Sequence, residues 1–223
     1  MPFTEGNVVE VLHNGEEAFP ALLAAVEGAT RTIDLLWFAW DRAAIGSRLA
    51  GALTGRARAG VRVRVLLDGY GARHVDPDLV ARLRAAGGQV AFYRPVPSVR
   101  PTVWNLRTHR RVLVCDEEVA LTGGIGIADR WTGDGVHPHA WRDTAFRLRG
   151  PAVAGVRSAF ALPWLQVQAG AAQAVLTPED RFPPLPADGD SAVQVLRSSR
   201  PPGGTTRRWP SARCCRPHAP GCA

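Results

Sequence analysis

A chain of 223 residues, 46% of them hydrophobic, is long enough to bury a sizeable core in one domain. No apolar run approaches the ~20 residues that span a bilayer, and the first residues show neither the basic nor the apolar region of a secretory signal. The formal charge of +7 suggests a nucleic-acid partner only until it is located: residues 1–196 hold all 20 acids and 21 of the 27 cations, so the excess sits in the six arginines after residue 196. Every cation is arginine and lysine is absent. In chain order, residues 8–12 alternate like a strand and Asn14-Gly15 turns the chain. Residues 16–28 carry Phe19, Leu22, Leu23 and Val26 at helical spacing. A strongly apolar strand over 31–39 precedes a helix over 42–59, which Gly60 ends. The strand over 61–67 alternates apolar residues with Arg62 and Arg64, and a helix over 77–86 is capped by Asp76 and stopped by Gly87-Gly88. A strand over 89–93 leads to a loop marked by Pro95, Pro97 and Pro101. Strands over 112–115 and 119–122 flank Asp116-Glu117-Glu118, another covers 144–148, and a helix over 151–164 carries Val153, Val156, Phe160 and Trp164.

Alternating strands and helices of these lengths imply an α/β sandwich with a mixed, mostly parallel sheet, and Leu35-Leu36-Trp37-Phe38 belongs at its centre. The order decays after Trp164. Residues 178–190 are rich in Pro and Asp, as in a linker, and Ser191-Ala192-Val193-Gln194-Val195-Leu196 then echoes Asn7-Val8-Val9-Glu10-Val11-Leu12. The expected organisation is a domain over 1–176, a linker with the start of an incomplete second repeat over 177–196, and a disordered Arg/Pro/Cys-rich tail over 197–223. Loss of the reading frame near residue 197 accounts for that tail; a natural basic tail that binds an anion or a membrane is the alternative.

The chemistry concentrates around residue 109. Thr108-His109-Arg110-Arg111 runs into the apolar Val112-Leu113-Val114-Cys115, Asp116 follows, and Leu121-Thr122-Gly123-Gly124 lies just beyond. A histidine can serve a phosphodiester as nucleophile or as proton donor to the departing oxygen. Taken singly, His109 is a strand-end histidine and no more. The full arrangement resembles the HxKx4D motif of the phospholipase D superfamily, with Arg111 at the lysine position. Segments 8–19, 60–68, 105–124, 141–144 and 150–153 resemble, in order, the N-terminal half of bacterial cardiolipin synthase-like proteins, so the likeness covers about residues 6–196.

That resemblance implies a phospholipase D-like α-β-α sandwich and a reaction that needs neither metal nor cofactor. The superfamily pairs two motifs across a pseudo-twofold axis, one histidine forming a phosphohistidine and the other protonating the departing oxygen. By motif, His109 takes the place of nucleophile or general acid and Arg111 that of the phosphate-binding lysine, although a guanidinium differs from an ammonium in reach, shape and hydration. Asp116 matches the motif's carboxylate, as a local organiser. Gly123 and Gly124 match the glycines beside the substrate, and Gly126 stands where the family often places a phosphate-holding Asn. The implied activity is transfer of a phosphatidyl group between phosphatidylglycerol-like lipids. Because this chain holds one motif, two alternatives stay open: a single-motif phosphodiesterase or nuclease whose site two identical chains complete, and a non-catalytic remnant. The near-neutral body weakens nucleic acid as a partner. The expected location is cytoplasmic, with peripheral contact at the inner face of the cell membrane.

Other candidates have ordinary readings beside the functional ones. Asp68 ends a strand and begins a turn. Asp41 lines a cleft mouth or caps the next helix. His137 and His139 flank Pro138 with no third metal ligand evident, which favours a substrate-rim loop. Trp104, Trp131 and Trp141 suit an apolar rim, and core tryptophans look the same in sequence. Cys115 reads as a small buried hydrophobe, while Cys214, Cys215 and Cys222 lack zinc or disulfide spacing.

Overall fold

The computed structural model of the chain describes residues 3–95, 107–168 and 182–196. The loop at Pro97 and Pro101, Trp104 and the expected tail over 197–223 lie outside the described residues. Among the described residues, eight strands and four α-helices follow one another as β1 (Thr4–His13), α1 (Asn14–Gly28), β2 (Thr32–Trp37), α2 (Ala44–Arg58), β3 (Arg62–Asp68), α3 (Pro77–Ala85), β4 (Gln89–Tyr93), β5 (Val112–Cys115), β6 (Val119–Gly123), β7 (Thr144–Arg149), α4 (Ala152–Gln168) and β8 (Ser191–Val193). All the strands join one sheet in the order β4-β3-β2-β5-β6-β7-β1-β8.

The sheet is mixed, as expected, but its parallel share is smaller than expected. Only β2–β3 and β3–β4 pair in parallel, because α2 and α3 carry the chain back across the sheet between these strands. The other pairings are antiparallel, and the three residues between β5 and β6 show why. Asp116 and Glu117 both take positive φ, at 52° and 67°, and the Glu118 N–H donates to the Cys115 carbonyl at 3.0 Å. A tight turn of this hand matches the twist of an antiparallel pair.

Period-two alternation distributes each strand between two cores. Ile33, Leu35 and Trp37 of β2 pack with α1, α2 and α3 on one face, while Leu36 joins Val153, Val156 and Phe160 of α4 on the other. This makes the α-β-α sandwich. One position in β2 breaks the apolar run. Asp34 points under α4, where Arg64 grips it with two bonds of 2.7 and 2.9 Å and Arg157 adds a third of 3.0 Å. The Arg64 guanidinium also lies 5.3 Å from the Phe160 ring centroid.

The segment that echoes β1 is the strand that borders it. Asn7 pairs across from Ser191, donates to its carbonyl at 3.1 Å, and through Oδ1 accepts the Ala152 N–H at 2.7 Å where α4 begins. Leu36 stands opposite both Leu66 and Val112, and Val112 opposite Thr122. The last residues of β2, β3 and β6, the start of β7 and the chain just before β5 therefore share one end of the sheet.

Candidate active site

His109 sits at that end, in the extended segment just before β5, and it is exposed. Its ring stacks on Phe38, the residue after β2, with centroids 4.0 Å apart and planes inclined by 19°. The backbone ahead of it is anchored by Asp68, whose wholly buried carboxylate closes β3. Asp68 Oδ2 accepts the Thr108 N–H at 3.0 Å, and Oδ1 accepts the N–H groups of Tyr70 at 2.9 Å and Gly71 at 3.1 Å. Arg107 lies 3.9 Å from the same carboxylate and donates to the Arg94 carbonyl at 2.6 Å. The turn expected at Asp68 is present, and the same side chain also fixes the approach to His109.

Arg111, two residues further along the same segment, reaches back toward His109. Its Nη1 donates to the His109 carbonyl at 2.9 Å, and its guanidinium lies 5.5 Å from the Phe38 ring centroid. Burial lowers its pKa from the usual arginine value, and the charge of Asp143 opposes that shift. Its Nε–H is buried without a protein acceptor. The cation is therefore partly desolvated and short of acceptors, a state that favours binding an oxyanion.

The glycines expected beside the substrate are all required by close neighbours. A Cβ at Gly123 would stand 2.6 Å from the Thr144 carbonyl oxygen, and one at Gly124 would overlap the Asp143 carboxylate. At Gly126 a Cβ would meet the Trp131 ring at 2.5 Å, so the indole fills the space that a longer side chain at 126 needs. Asp143 is held in turn by Asn14, whose Oδ1 accepts its N–H at 3.0 Å.

Asp116 is not brought to this group. Five residues of extended chain, about 17 Å, separate it from Arg111, at the opposite end of β5. There it accepts from the N–H groups of Thr30 at 2.8 Å, Arg31 at 2.7 Å and Thr32 at 2.8 Å, and from the Thr30 hydroxyl at 3.0 Å. Burial alone would raise its pKa, but these hydrogen bonds outweigh burial and hold it below the usual aspartate value.

Beside Phe38 and Arg111 opens a cleft of about 830 Å³, to which Arg42, Tyr70, Arg73 and Trp141 contribute. Asp41 lines it as well, bonded to Arg130 at 2.7 Å, and the cap position of α2 belongs to Ala43. Trp131 is buried and Trp141 half exposed, edge to face at 4.7 Å, with the Arg130 guanidinium over both rings. His137 and His139 lie in the following loop, rings 5.6 Å apart, and no group of three possible metal ligands exists among the described residues.

Known proteins show the same unit. A cardiolipin synthase of Geobacillus kaustophilus is 33% identical over 211 residues, 93% of this chain and 40% of its own length. Cardiolipin synthase B of Escherichia coli is 37% identical over 156 residues, 67% of this chain and 36% of its own. The chain thus spans about 40% of the length of the curated relatives it matches. Among solved structures, Nuc from Salmonella typhimurium, a phospholipase D family member, superposes with a TM-score of 0.54 at 16% identity, over 72% of this chain and 95% of that one. NucT from Helicobacter pylori gives 0.52 at 11% identity, over 74% and 97%. Most of this chain is therefore similar in sequence to cardiolipin synthases, and its fold is that of a phospholipase D family member. No family model matches it.

Within this phospholipase D-like unit, several residues at the site escaped the sequence reading. Phe38 looked like the end of a core strand, and Asp143 lay in a matched segment without a role. His74, which also lines the cleft, carried no signal at all. Asp68 was legible as a turn, but its bond to Thr108 spans 40 residues and leaves no local mark.

Proposed function

We propose that this chain carries the nucleophile of a phospholipase D-type phosphatidyltransferase acting on phosphatidylglycerol-like lipids, as the 33–37% identity to cardiolipin synthases suggests. The observation that carries this reading is the exposed His109 ring, braced on Phe38, next to the partly desolvated Arg111 at the edge of the cleft. In the first step a His109 nitrogen attacks phosphorus, and the bond from phosphorus to the glycerol headgroup oxygen breaks. The departing oxygen takes a proton from an acid, and the phosphatidyl group stays on His109. In the second step the glycerol hydroxyl of another lipid attacks phosphorus, gives up its proton to the same acid–base group and frees His109. Arg111 balances the negative charge that builds on the non-bridging oxygens. Gly123 and Gly124 let the Thr144 carbonyl and the Asp143 carboxylate close in on the end of β6, which keeps Asp143 near Arg111. Asp116 holds the far end of β5 and takes no part in proton transfer.

The acid in this scheme is a second histidine, supplied by another motif. One observation favours a second copy of the chain as its source: the chain covers 95% and 97% of the two neighbouring structures, so a unit of this size stands as a whole chain elsewhere. Two copies would then each lend His109 to one site, and light-scattering mass on the active fraction tests that arrangement. The proposal as a whole is tested by incubating the protein with phosphatidylglycerol labelled at phosphorus and quenching in base, where phosphohistidine survives. Label on His109, absent in His109→Ala, is the expected outcome; equal label in the variant removes His109 from the mechanism.

A further inference from the structure

We propose that the cleft mouth docks on an anionic phospholipid bilayer, with Tyr70, Val136 and Trp141 entering the interface and Arg42, Arg73 and Arg142 meeting its phosphates. The choice of a lipid surface rests on the phosphatidyltransferase reading, and the argument rests on where exposed apolar groups collect. Val136 is 79% exposed, Trp141 51% and Tyr70 49%. Tyr70 and Trp141 line the cleft, and Val136 stands on the loop over 132–143 that carries Trp141.

This loop displays its apolar residues from a braced frame. Asn14 Nδ2 donates to the Asp134 carbonyl at 2.6 Å, Glu16 N–H to the Gly133 carbonyl at 3.1 Å, and Trp141 N–H to the Arg130 carbonyl at 2.6 Å. Val136 therefore does not gain its exposure by fraying. Hydration of a fixed apolar side chain is unfavourable, and transfer into a bilayer interface relieves it. Tryptophan and tyrosine suit that boundary because each joins an apolar ring to a polar atom.

Charge narrows the occupant. Arg130 is neutralised by Asp41, and the Asp134 carboxylate accepts the Val136 N–H at 2.9 Å. Among the described residues, Arg42, Arg73 and Arg142 have no carboxylate partner within ion-pair distance. Arg73 instead donates to the Tyr70 carbonyl at 3.1 Å and lies 4.4 Å from the Tyr70 ring centroid, and the Cγ of Arg142 packs close to Gly135, beside Val136. Apolar groups interleaved with guanidinium groups that no described carboxylate neutralises match a charged headgroup layer better than the contiguous dry patch of a protein interface.

The test is flotation of the full chain with phosphatidylcholine vesicles, with and without phosphatidylglycerol. The chain should float with the anionic vesicles only. Val136→Asp should lower the partition about tenfold, and Arg42→Gln and Arg73→Gln about fivefold each. Lipids brominated near the headgroup should quench the parent's fluorescence more than that of Trp141→Phe. Melting curves establish that these surface variants stay folded. Equal flotation of parent and variants would assign the attraction to the six arginines after residue 196 and overturn the proposal, as would binding that ignores vesicle charge. Hydrolysis of a water-dispersed short-chain phosphodiester, unchanged in Val136→Asp, reports separately on the phosphatidyltransferase reading. Its absence from the parent would remove that reading and leave the flotation result to stand by itself.

Discussion

Asp68→Asn tests how the fold holds His109, the proposed nucleophile. The two carboxylate oxygens accept three backbone N–H groups, those of Tyr70 and Gly71 on one oxygen and that of Thr108 on the other. An amide keeps one oxygen and turns the other position into a donor. If the oxygen stays with the loop over 69–71, the new NH2 faces the buried Thr108 N–H and both donors lose their partner. Arg107, 3.9 Å away, also loses its anion. Hydrogen bonds to charged acceptors contribute ~1.5–3 kcal/mol, and an orphaned buried donor costs ~1–3 kcal/mol. A net loss of about 2–3 kcal/mol follows, or roughly 4–12 °C in melting temperature for a chain of this size. Thr108 immediately precedes His109, so the phosphohistidine rate at saturating lipid should fall about a hundredfold, with little change in lipid affinity. Urea unfolding and rapid-quench labelling on the same preparation measure both effects. Asp76→Asn is the control: the residue is half-buried, its side chain accepts the Asp78 N–H at 3.0 Å, and the change should cost under ~0.5 kcal/mol because Asn caps helices as well as Asp. An Asp68→Asn protein within ~0.5 kcal/mol of the parent and labelling at its rate would refute the reasoning.

Two further outcomes follow from the carboxylates that the site does not use. Asp34→Ala removes the carboxylate that bridges the buried Arg64 and Arg157, of which Arg157 keeps Glu117 at 2.9 Å, and should destabilise by about 3–5 kcal/mol in urea unfolding; a loss below ~1 kcal/mol would mean that Glu117 and water compensate for the carboxylate. Because Asp116 has its pKa lowered by folding, its contribution to stability is complete above the unfolded aspartate value near ~3.9 and disappears as pH falls through the folded value. Asp116→Asn should therefore flatten the loss of stability below about pH 4, and an unchanged pH profile would show that its four hydrogen bonds carry no such linkage.

Local pattern determined what could be read from sequence. The apolar run Ile33-Asp34-Leu35-Leu36-Trp37 gave a central strand correctly, because helices cover both faces of β2 and each residue there must be buried. Asp34 inside that run passed unremarked, since its partners stand 30 and 123 residues away. The β5–β6 hairpin was visible in its three-residue connection. The place of β1 between β7 and β8 was not, because period-two alternation marks a strand without naming its neighbours. That gap made the sheet look more parallel than it is. At the site, the motif brought out His109, Arg111 and the three glycines. The side chains that position them act across the sheet and leave no spacing to detect. Trp131 and Trp141 looked alike in sequence, yet one is buried against Gly126 and the other half exposed in the cleft.

In the proposed reaction a single motif histidine sets a limit on the chemistry, and the leaving group reveals it. Attack by His109 places charge on the departing oxygen as the bond to phosphorus breaks. A nitrophenolate spreads that charge over its ring and leaves without a proton, whereas a glycerol alkoxide needs one delivered as it departs. Arg111 balances charge on the non-bridging oxygens, but a guanidinium is a poor proton donor at neutral pH, even with its pKa lowered by burial. A lone copy of the chain should therefore form phosphohistidine from a nitrophenyl phosphodiester and fail to do so from phosphatidylglycerol. Diluting the protein across the range where its scattering mass changes separates the two activities. Loss of the glycerol reaction alone on dilution means that a second copy supplies the acid. Glycerol release by a monomer at undiminished rate would show that this chain holds its own acid, and the requirement for a second motif would fall.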